Sequence, residues 1–96
     1  MQRPDGYSVS VQRLVRFMYD AHNRSRHSIH ELSLLTTITP SYIIQVLTGT
    51  RIPSRDPLVL MCTCGWWLTV NETNDILISA GHTPLSPHQD DVGKLN

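Results

Sequence analysis

The stretch of sequence that decides the fold is residues 28–49, SIHELSLLTTITPSYIIQVLTG. It begins with Ser28, and Glu31 follows three residues later, which is the spacing of a capping box. In that motif the serine oxygen and the glutamate carboxylate each accept a hydrogen bond from a backbone N–H group that the start of a helix leaves free. The sequence therefore predicts a helix that opens at Ser28 and runs to about Thr36.

A second helix is predicted in the same stretch after a short break. Thr39 is a good N-cap residue, and Pro40 suits the first helical position, where its missing N–H group costs no hydrogen bond. Gly49 can adopt the left-handed conformation that closes many helices, so this helix is expected over residues 40–48. The apolar residues expected to join the two helices are Leu32, Leu35, Ile38, Ile43 and Val46. Two short helices joined by a tight turn are typical of a helix-turn-helix unit, although a helical hairpin in any small bundle has similar spacing.

Three further helices are expected around this pair. Over residues 10–23 the apolar residues recur at three- and four-residue spacing, which predicts a helix with one core-facing side. Its expected core residues are Val11, Leu14, Val15 and Met18, with either Ala21 or Phe17 as a further member. Another helix is expected over residues 54–65, with a serine cap and an apolar surface nearly all round. Thr69 and Glu72 repeat the capping-box spacing, and the fifth helix that they open is expected to end at Gly81.

The length of the chain, 96 residues, suits one domain with one hydrophobic core. We expect an all-α fold, a compact five-helix domain over residues 10–83, with short flexible tails at residues 1–9 and 84–96. No stretch approaches the roughly 18 uninterrupted apolar residues of a membrane-spanning helix. The first residues also lack the pattern of a secretory signal, so we expect no membrane partner and a cytoplasmic location.

The charges are unevenly distributed, although the formal net charge is zero. Residues 1–55 contain seven arginines and three acidic residues, whereas residues 56–96 contain one lysine and five acidic residues. The first part therefore carries a net charge of +4 and the second part −4. The basic part includes the predicted helix pair and is suited to face phosphate groups; a solvated surface with chance asymmetry is the alternative.

The sequence offers little for catalysis or metal binding. Cys62 and Cys64 are separated by one residue, a spacing that suits neither a disulfide framework nor a zinc site, so both are interpreted as reduced thiols in the core. The nearest cluster of chemically active side chains is His27, His30 and Glu31, which the start of a helix explains. Because catalysis needs converging groups, we expect no enzyme activity, no cofactor and no metal.

Residues of the helix pair resemble those of the Cro and phage-repressor family of helix-turn-helix proteins, also called XRE-like. The resemblance rests on Thr39-Pro40-Ser41-Tyr42-Ile43, followed by Gly49, Arg51, Pro53 and Ser54, and on Ser28, Glu31, Leu32 and Ile38 in the first helix and turn. It extends over residues 11–85 and includes the pair Ala80-Gly81 at the end of the fifth helix. It implies a five-helix, lambda-repressor-like domain that binds double-stranded operator DNA, commonly as a dimer on a palindromic site, and regulates transcription.

The resemblance also implies which residues meet DNA. Those expected at base edges are Pro40, Ser41, Tyr42, Ile44 and Gln45. Among them Gln45 has the amide group that reads adenine well. Those expected at phosphate groups are Arg24, Arg26, Ser28, Thr39, Thr48, Arg51 and Arg55, because helix N-termini, hydroxyl groups and arginines all bind phosphate.

Several residues depart from the family pattern and keep an alternative open. Ile29 stands where the family often has glutamine, and Thr37 where it often has glycine. Ile44 and Leu47 are three positions apart and apolar, so they are able to share one helix face. The alternative is a helix-turn-helix-fold module, such as an antirepressor, that uses these apolar residues to bind a protein partner instead of DNA.

A homodimer is expected because one small neutral module makes few contacts with DNA, and a two-fold pair doubles them. The candidate dimer contact is the fifth helix with the adjacent Trp66 and Trp67. The other interpretation of the two tryptophans is that they fill the core.

Overall fold

Five α-helices follow one another along residues 9–85, the part of the chain that the computed structural model describes. They are α1 (Val11–Ser25), α2 (Ile29–Thr36), α3 (Pro40–Leu47), α4 (Arg55–Leu60) and α5 (Val70–Ser79), and α4 continues directly into a π-helical turn at Met61–Gly65. No strand occurs within residues 9–85, so the predicted all-α, five-helix fold is confirmed. Every helix within the same residues is too short or too polar to cross a membrane. Most of each predicted tail, residues 1–8 and 86–96, lies outside the described residues.

The starts of α2 and α5 are held by the two predicted capping boxes. In α2 the hydroxyl oxygen of Ser28 accepts a hydrogen bond from the N–H group of Glu31 at 3.0 Å, and the carboxylate of Glu31 accepts one from the N–H group of Ser28 at 2.8 Å. Thr69 and Glu72 make the same pair in α5 at 3.1 and 3.0 Å. The backbone hydrogen bonds lower the pKa of both glutamates, because they favour the ionised carboxylate.

The limits of α3 follow from a cap at its start and a glycine after its end. The hydroxyl oxygen of Thr39 accepts a hydrogen bond from the N–H group of Tyr42 at 3.3 Å, and Pro40 occupies the first helical position. Gly49 has a φ of 80°, in the left-handed region that favours glycine. A Cβ atom at Gly49 would also lie 3.2 Å from Cγ2 of Val15. The chain therefore leaves α3 through a sharp turn that passes close to α1.

The hydrophobic core lies between the inward faces of the five helices and the π-helical turn. Its buried members are Leu14, Met18, Ala21, Leu32, Ile43, Val46, Leu47, Leu58, Met61, Cys62, Trp66, Ile76, Leu77 and Ala80. Helix α2 lies between two neighbours, since it contacts both α3 and the π-helical turn. The predicted helix pair is thereby anchored to the rest of the domain.

Two predicted core residues lie at the surface. Leu35 was expected to join α2 to α3, but it is 43% exposed. Leu32 and Thr36, four residues apart, are both buried and form the inward face of α2, and a three-residue step from Leu32 leaves Leu35 on the flank. Val11, the first residue of α1, is also exposed, and it lines an open cleft together with Gly49 after the end of α3.

The prediction that the fourth helix is buried nearly all round was wrong. Leu58, Met61 and Cys62 are buried, whereas Leu60 and Cys64 are exposed. The buried residues recur at three- and four-residue spacing, so this segment has one inward face like an ordinary surface helix. Both cysteines are free thiols, but only Cys62 lies in the core. Burial raises the pKa of Cys62 to about 12, which keeps its thiol protonated and unreactive.

The packed domain continues past the predicted boundary at residue 83. His82 is buried, and its Nε2 atom lies 2.8 Å from the carbonyl oxygen of Pro53. Since a carbonyl oxygen only accepts hydrogen bonds, this ring nitrogen is the donor. The N–H group of Leu85 donates to Oδ1 of Asn74 in α5 at 2.8 Å. The segment after α5 is therefore tied to two earlier parts of the chain.

Gly65→Ala tests the close approach between the π-helical turn and α2. A Cβ atom at Gly65 would lie 2.2 Å from Cδ1 of Leu32 and 3.2 Å from Cγ2 of Thr36, and both of these residues are buried. We expect the substitution to lower the free energy of unfolding by about 1–3 kcal/mol, the usual cost of overpacking a core. Urea denaturation measures this change, with Cys64→Ala at the neighbouring exposed position as the control. Equal stability of Gly65→Ala and the natural protein would contradict the packing described.

The lowered pKa values of Glu31 and Glu72 predict a loss of stability in acid. A carboxyl group whose pKa is lower in the folded state than its ordinary value of 4.5 stabilises the fold above that value. This contribution is lost as the pH falls through the lowered pKa. The double variant Glu31→Gln/Glu72→Gln keeps acceptors for both capping boxes but has no carboxyl groups to protonate there. Thermal melting between pH 7 and about pH 3 is expected to show a smaller decrease in the double variant; equal decreases would exclude a role for these carboxylates.

Candidate nucleic-acid interface

Helix α3 has one buried face and one face toward solvent. Ile43, Val46 and Leu47 are buried, whereas Pro40, Ser41, Ile44 and Thr48 are exposed and Gln45 is half-buried. Positions 41, 44, 45 and 48 recur at helical spacing, so they share the outer face. Four of the five residues predicted at base edges, Pro40, Ser41, Ile44 and Gln45, therefore belong to one accessible side of α3.

The prediction that Ile44 and Leu47 share an apolar face was wrong. Leu47 belongs to the core, and Ile44 is 50% exposed. The three-residue step between them crosses the edge of the buried face, because Val46 and Leu47 point inward together with Ile43. Of this pair, only Ile44 is available to a partner.

Gln45, Arg51 and Tyr42 form a side-chain cluster, which we call the Gln45 cluster. Nε of Arg51 donates a hydrogen bond to Oε1 of Gln45 at 2.8 Å. The guanidinium carbon of Arg51 lies 5.1 Å from the centre of the Tyr42 ring, which is within the range of a cation–π contact. The hydroxyl oxygen of Tyr42 accepts a hydrogen bond from the N–H group of Ser54 at 3.2 Å. Tyr42 is thus a half-buried support for Arg51 as well as a member of α3.

The backbone after α3 folds back to bring Arg51 to this position. The N–H groups of Thr50 and Arg51 both donate to the carbonyl oxygen of Gln45, at 2.9 and 3.1 Å. The hydroxyl group of Thr48 donates to the carbonyl oxygen of Ile44 at 2.8 Å. The sharp turn at Gly49 therefore places one predicted phosphate-binding residue, Arg51, against a predicted base-reading residue, Gln45.

The two caps predicted to bind phosphate have different surroundings. Thr39 begins α3 on the same side as Pro40 and Ser41, and no acidic residue occurs in the first turn. Ser28 begins α2 beside the Glu31 carboxylate, whose pKa is lowered by the hydrogen bond from the Ser28 N–H group. The Glu31 carboxylate accepts a hydrogen bond from the Ser28 N–H group and places a negative charge at this helix start, which would repel a phosphate. Thr39 is therefore the better placed of the two.

Arg24 and Arg55 are engaged within the chain. Arg24 lies 3.0 Å from Glu72 in α5 and 3.4 Å from Asp20 in α1. Arg55 is half-buried and donates hydrogen bonds to the carbonyl oxygens of Thr83 and Pro84, each at 3.1 Å. Both guanidinium groups thus connect distant parts of the domain. Among the arginines predicted at phosphates, Arg51 lies against α3, and Arg26 is exposed at the end of α1 with a φ of 63°.

Arg16, which no sequence pattern singles out, lies near α3. Its side chain lines an open cleft between α1 and the end of α3, together with Val15, Thr48 and Gly49. Arg16 is exposed. No local pattern distinguishes it from other arginines of α1, because its position depends on how α1 packs against α3. Arg16 and Arg51 therefore supply two positive charges near the outer face of α3.

The two tryptophans have opposite environments. Trp66 is 4% exposed, and its Nε1 atom donates a hydrogen bond to Nδ1 of His22 at 3.1 Å. Burial, with a smaller contribution from His27, lowers the pKa of His22, so the ring is neutral at pH 7 and accepts this bond. Trp66 therefore fills the core, and its assignment as a dimer contact was wrong. Trp67 is 65% exposed and packs edge-on against His27, with ring centres 5.0 Å apart.

Comparisons of the chain with models of known protein families, with curated proteins and with solved structures find no match in any of the three. The resemblance to Cro and phage repressors therefore stays a prediction. No group of three or more side chains with metal-binding chemistry is found among residues 9–85. The interpretation of the surface accordingly depends on the geometry around α3.

Comparison of Arg55→Ala with Arg16→Ala tests whether Arg55 stabilises the fold while Arg16 does not. Loss of the bonds to Thr83 and Pro84 is expected to lower the free energy of unfolding by about 1–2 kcal/mol. Arg16→Ala removes the same charge from an exposed site and is expected to change this free energy by no more than about 0.5 kcal/mol. Urea denaturation of both variants provides the comparison, and equal effects would refute the structural role of Arg55.

Proposed function

We propose that the protein binds specific sequences of double-stranded DNA, with α3 in the major groove, and regulates transcription as a repressor. The observation that carries the proposal is the outer face of α3, where Ser41, Ile44 and Gln45 are accessible beside Arg51. A groove-reading helix needs such a face, with polar groups toward the bases and cations toward the flanking phosphates. The opposite face of α3 is buried, which gives the helix the rigid support that base readout requires.

The charges around α3 support the same proposal. Arg51 lies at one end of the outer face, and Arg16 lines the cleft beside the end of α3. Thr39 supplies a helix N-terminus whose first turn carries no acidic residue. Each of these groups is suited to contact the phosphates on either side of a groove. The zero net charge is therefore compatible with DNA binding, because cations are available where the helix would meet the backbone.

A homodimer on a palindromic site is the form that we propose for the DNA complex. Trp67 is the residue of the predicted dimer contact that is open to a partner. Two copies would double the number of base and phosphate contacts. Sedimentation at micromolar concentration, with and without DNA, is expected to show a dimer in at least one of the two conditions. Monomer alone in both would exclude it.

A second candidate function is binding to a protein partner. It is favoured by exposed apolar side chains on the helix pair, namely Leu34 at 68% exposure together with Leu35 and Ile44. Exposed apolar residues on a small domain mark a protein-binding surface when they form one patch. The DNA experiment that follows distinguishes the two candidates, because a protein-binding module has no reason to select a DNA sequence.

The test of DNA binding is selection from random duplexes with sequencing of the bound fraction, at low and at high salt. We expect a palindromic motif to be enriched and its affinity to decrease with salt, since phosphate contacts release counterions. The double variant Gln45→Ala/Arg51→Ala is expected to bind more weakly and to lose the preference at the base pair that these two side chains contact. Arg13→Ala is the control, because Arg13 lines a groove between α1 and α5 and lies over Phe17. Absence of any enriched motif at low salt would overturn the proposal in favour of protein binding.

A further inference from the structure

The hydrogen bond between Gln45 and Arg51 determines which way the Gln45 amide faces. Arginine carries only donors, so the group that Gln45 turns toward Arg51 must be its carbonyl oxygen. The observed bond, from Nε of Arg51 to Oε1 of Gln45 at 2.8 Å, has this polarity. The amide nitrogen Nε2, with its two N–H donors, is consequently the atom left for another partner.

The two side chains together then present donors only. Arg51 uses its Nε–H group on Gln45, and among residues 9–85 its two Nη groups have no hydrogen-bond partner. These groups carry four N–H donors, and the Gln45 amide adds two more. The single acceptor of the pair, Oε1, lies beside the guanidinium cation. A donor group that approached Oε1 would also meet the donors of Arg51.

The bases differ in what they offer to such a surface. In the major groove guanine presents two acceptors, N7 and O6, whereas adenine presents one acceptor, N7, and one donor, the N6 amino group. Adenine readout by a glutamine needs both Oε1 and Nε2 directed at the base. While Oε1 is held by Arg51, the amino group of adenine faces a donor surface and is rejected.

We propose that Gln45 and Arg51 act as one preformed recognition unit that selects guanine, with Tyr42 as its positioning residue. This inference rests on the proposed function. It replaces two expectations, adenine as the base read by an unpaired Gln45 and a phosphate as the partner of Arg51. Tyr42 supports the guanidinium plane of Arg51 from one side at 5.1 Å. The hydrogen bond from Ser54 to the Tyr42 hydroxyl at 3.2 Å holds that ring in turn. The Nη groups of Arg51 are thereby left free to donate to N7 and O6 together.

The experiment starts from the DNA motif selected by the natural protein. It first locates the base pair that Gln45 and Arg51 read. This is the position at which Gln45→Ala/Arg51→Ala loses its preference while other positions keep theirs. We expect guanine there, and replacement of the G·C pair by A·T is expected to weaken binding about 5- to 150-fold. A duplex with 7-deazaguanine at the same position lacks the N7 acceptor but keeps Watson–Crick pairing, and it is also expected to bind more weakly.

The variant Arg51→Ala is the most direct test of the recognition unit, because it releases Oε1 of Gln45. We expect its selected motif to shift from guanine toward adenine at this one position, whereas the control Arg13→Ala keeps guanine. Circular dichroism melts verify that both variants fold. Two results would overturn the recognition unit but leave sequence-specific DNA binding intact. One is adenine at this position in the motif of the natural protein, and the other is guanine retained by Arg51→Ala. No enriched motif for the natural protein would instead overturn the proposed function, and the recognition unit with it.

Discussion

The contact between α2 and the π-helical turn, where Leu32 lies against Gly65, is the constraint on which the rest of the domain depends. No side chain larger than hydrogen fits at Gly65 while Leu32 stays in place. The turn itself is closed by a hydrogen bond from the N–H group of Trp66 to the carbonyl oxygen of Met61 at 2.8 Å, the five-residue step of a π-helix. Since α2 also contacts α3, this packing positions α3 as well and leaves its outer face toward solvent.

The helices were predictable because their signals are local. Each capping box involves residues three positions apart, and the Thr39-Pro40 start and Gly49 lie in one short stretch. The faces of the helices were harder to predict, since they depend on neighbours that are distant in sequence. Leu35 and Leu60 have apolar side chains like their buried neighbours, and only the packing of whole helices decides which of them faces water. The π-helical turn was not predicted either, because its longer hydrogen-bonding step leaves no distinctive residue pattern.

The candidate site was predictable as a list of residues but not as an arrangement. The resemblance predicts Gln45 as a base reader and Arg51 as a phosphate binder, whereas the structure joins the two side chains by a hydrogen bond. That bond depends on the turn after α3, in which two N–H groups return to one carbonyl oxygen. Arg16 was missed because helix packing brings it to the cleft beside α3, and Trp66 was misassigned because an apolar side chain is equally suited to a core and to an interface.

The two cysteines of the folded chain differ in exposure and therefore in reactivity. Cys64 is exposed, while Cys62 is buried and has a pKa raised to about 12. An alkylating reagent therefore modifies one thiol in the native state and reaches the second only when the core opens around it. Opening events of this kind occur locally as well as by global unfolding. The rate at which Cys62 becomes alkylated thus reports how often the segment that supports α2 detaches from the core, without any added spectroscopic label.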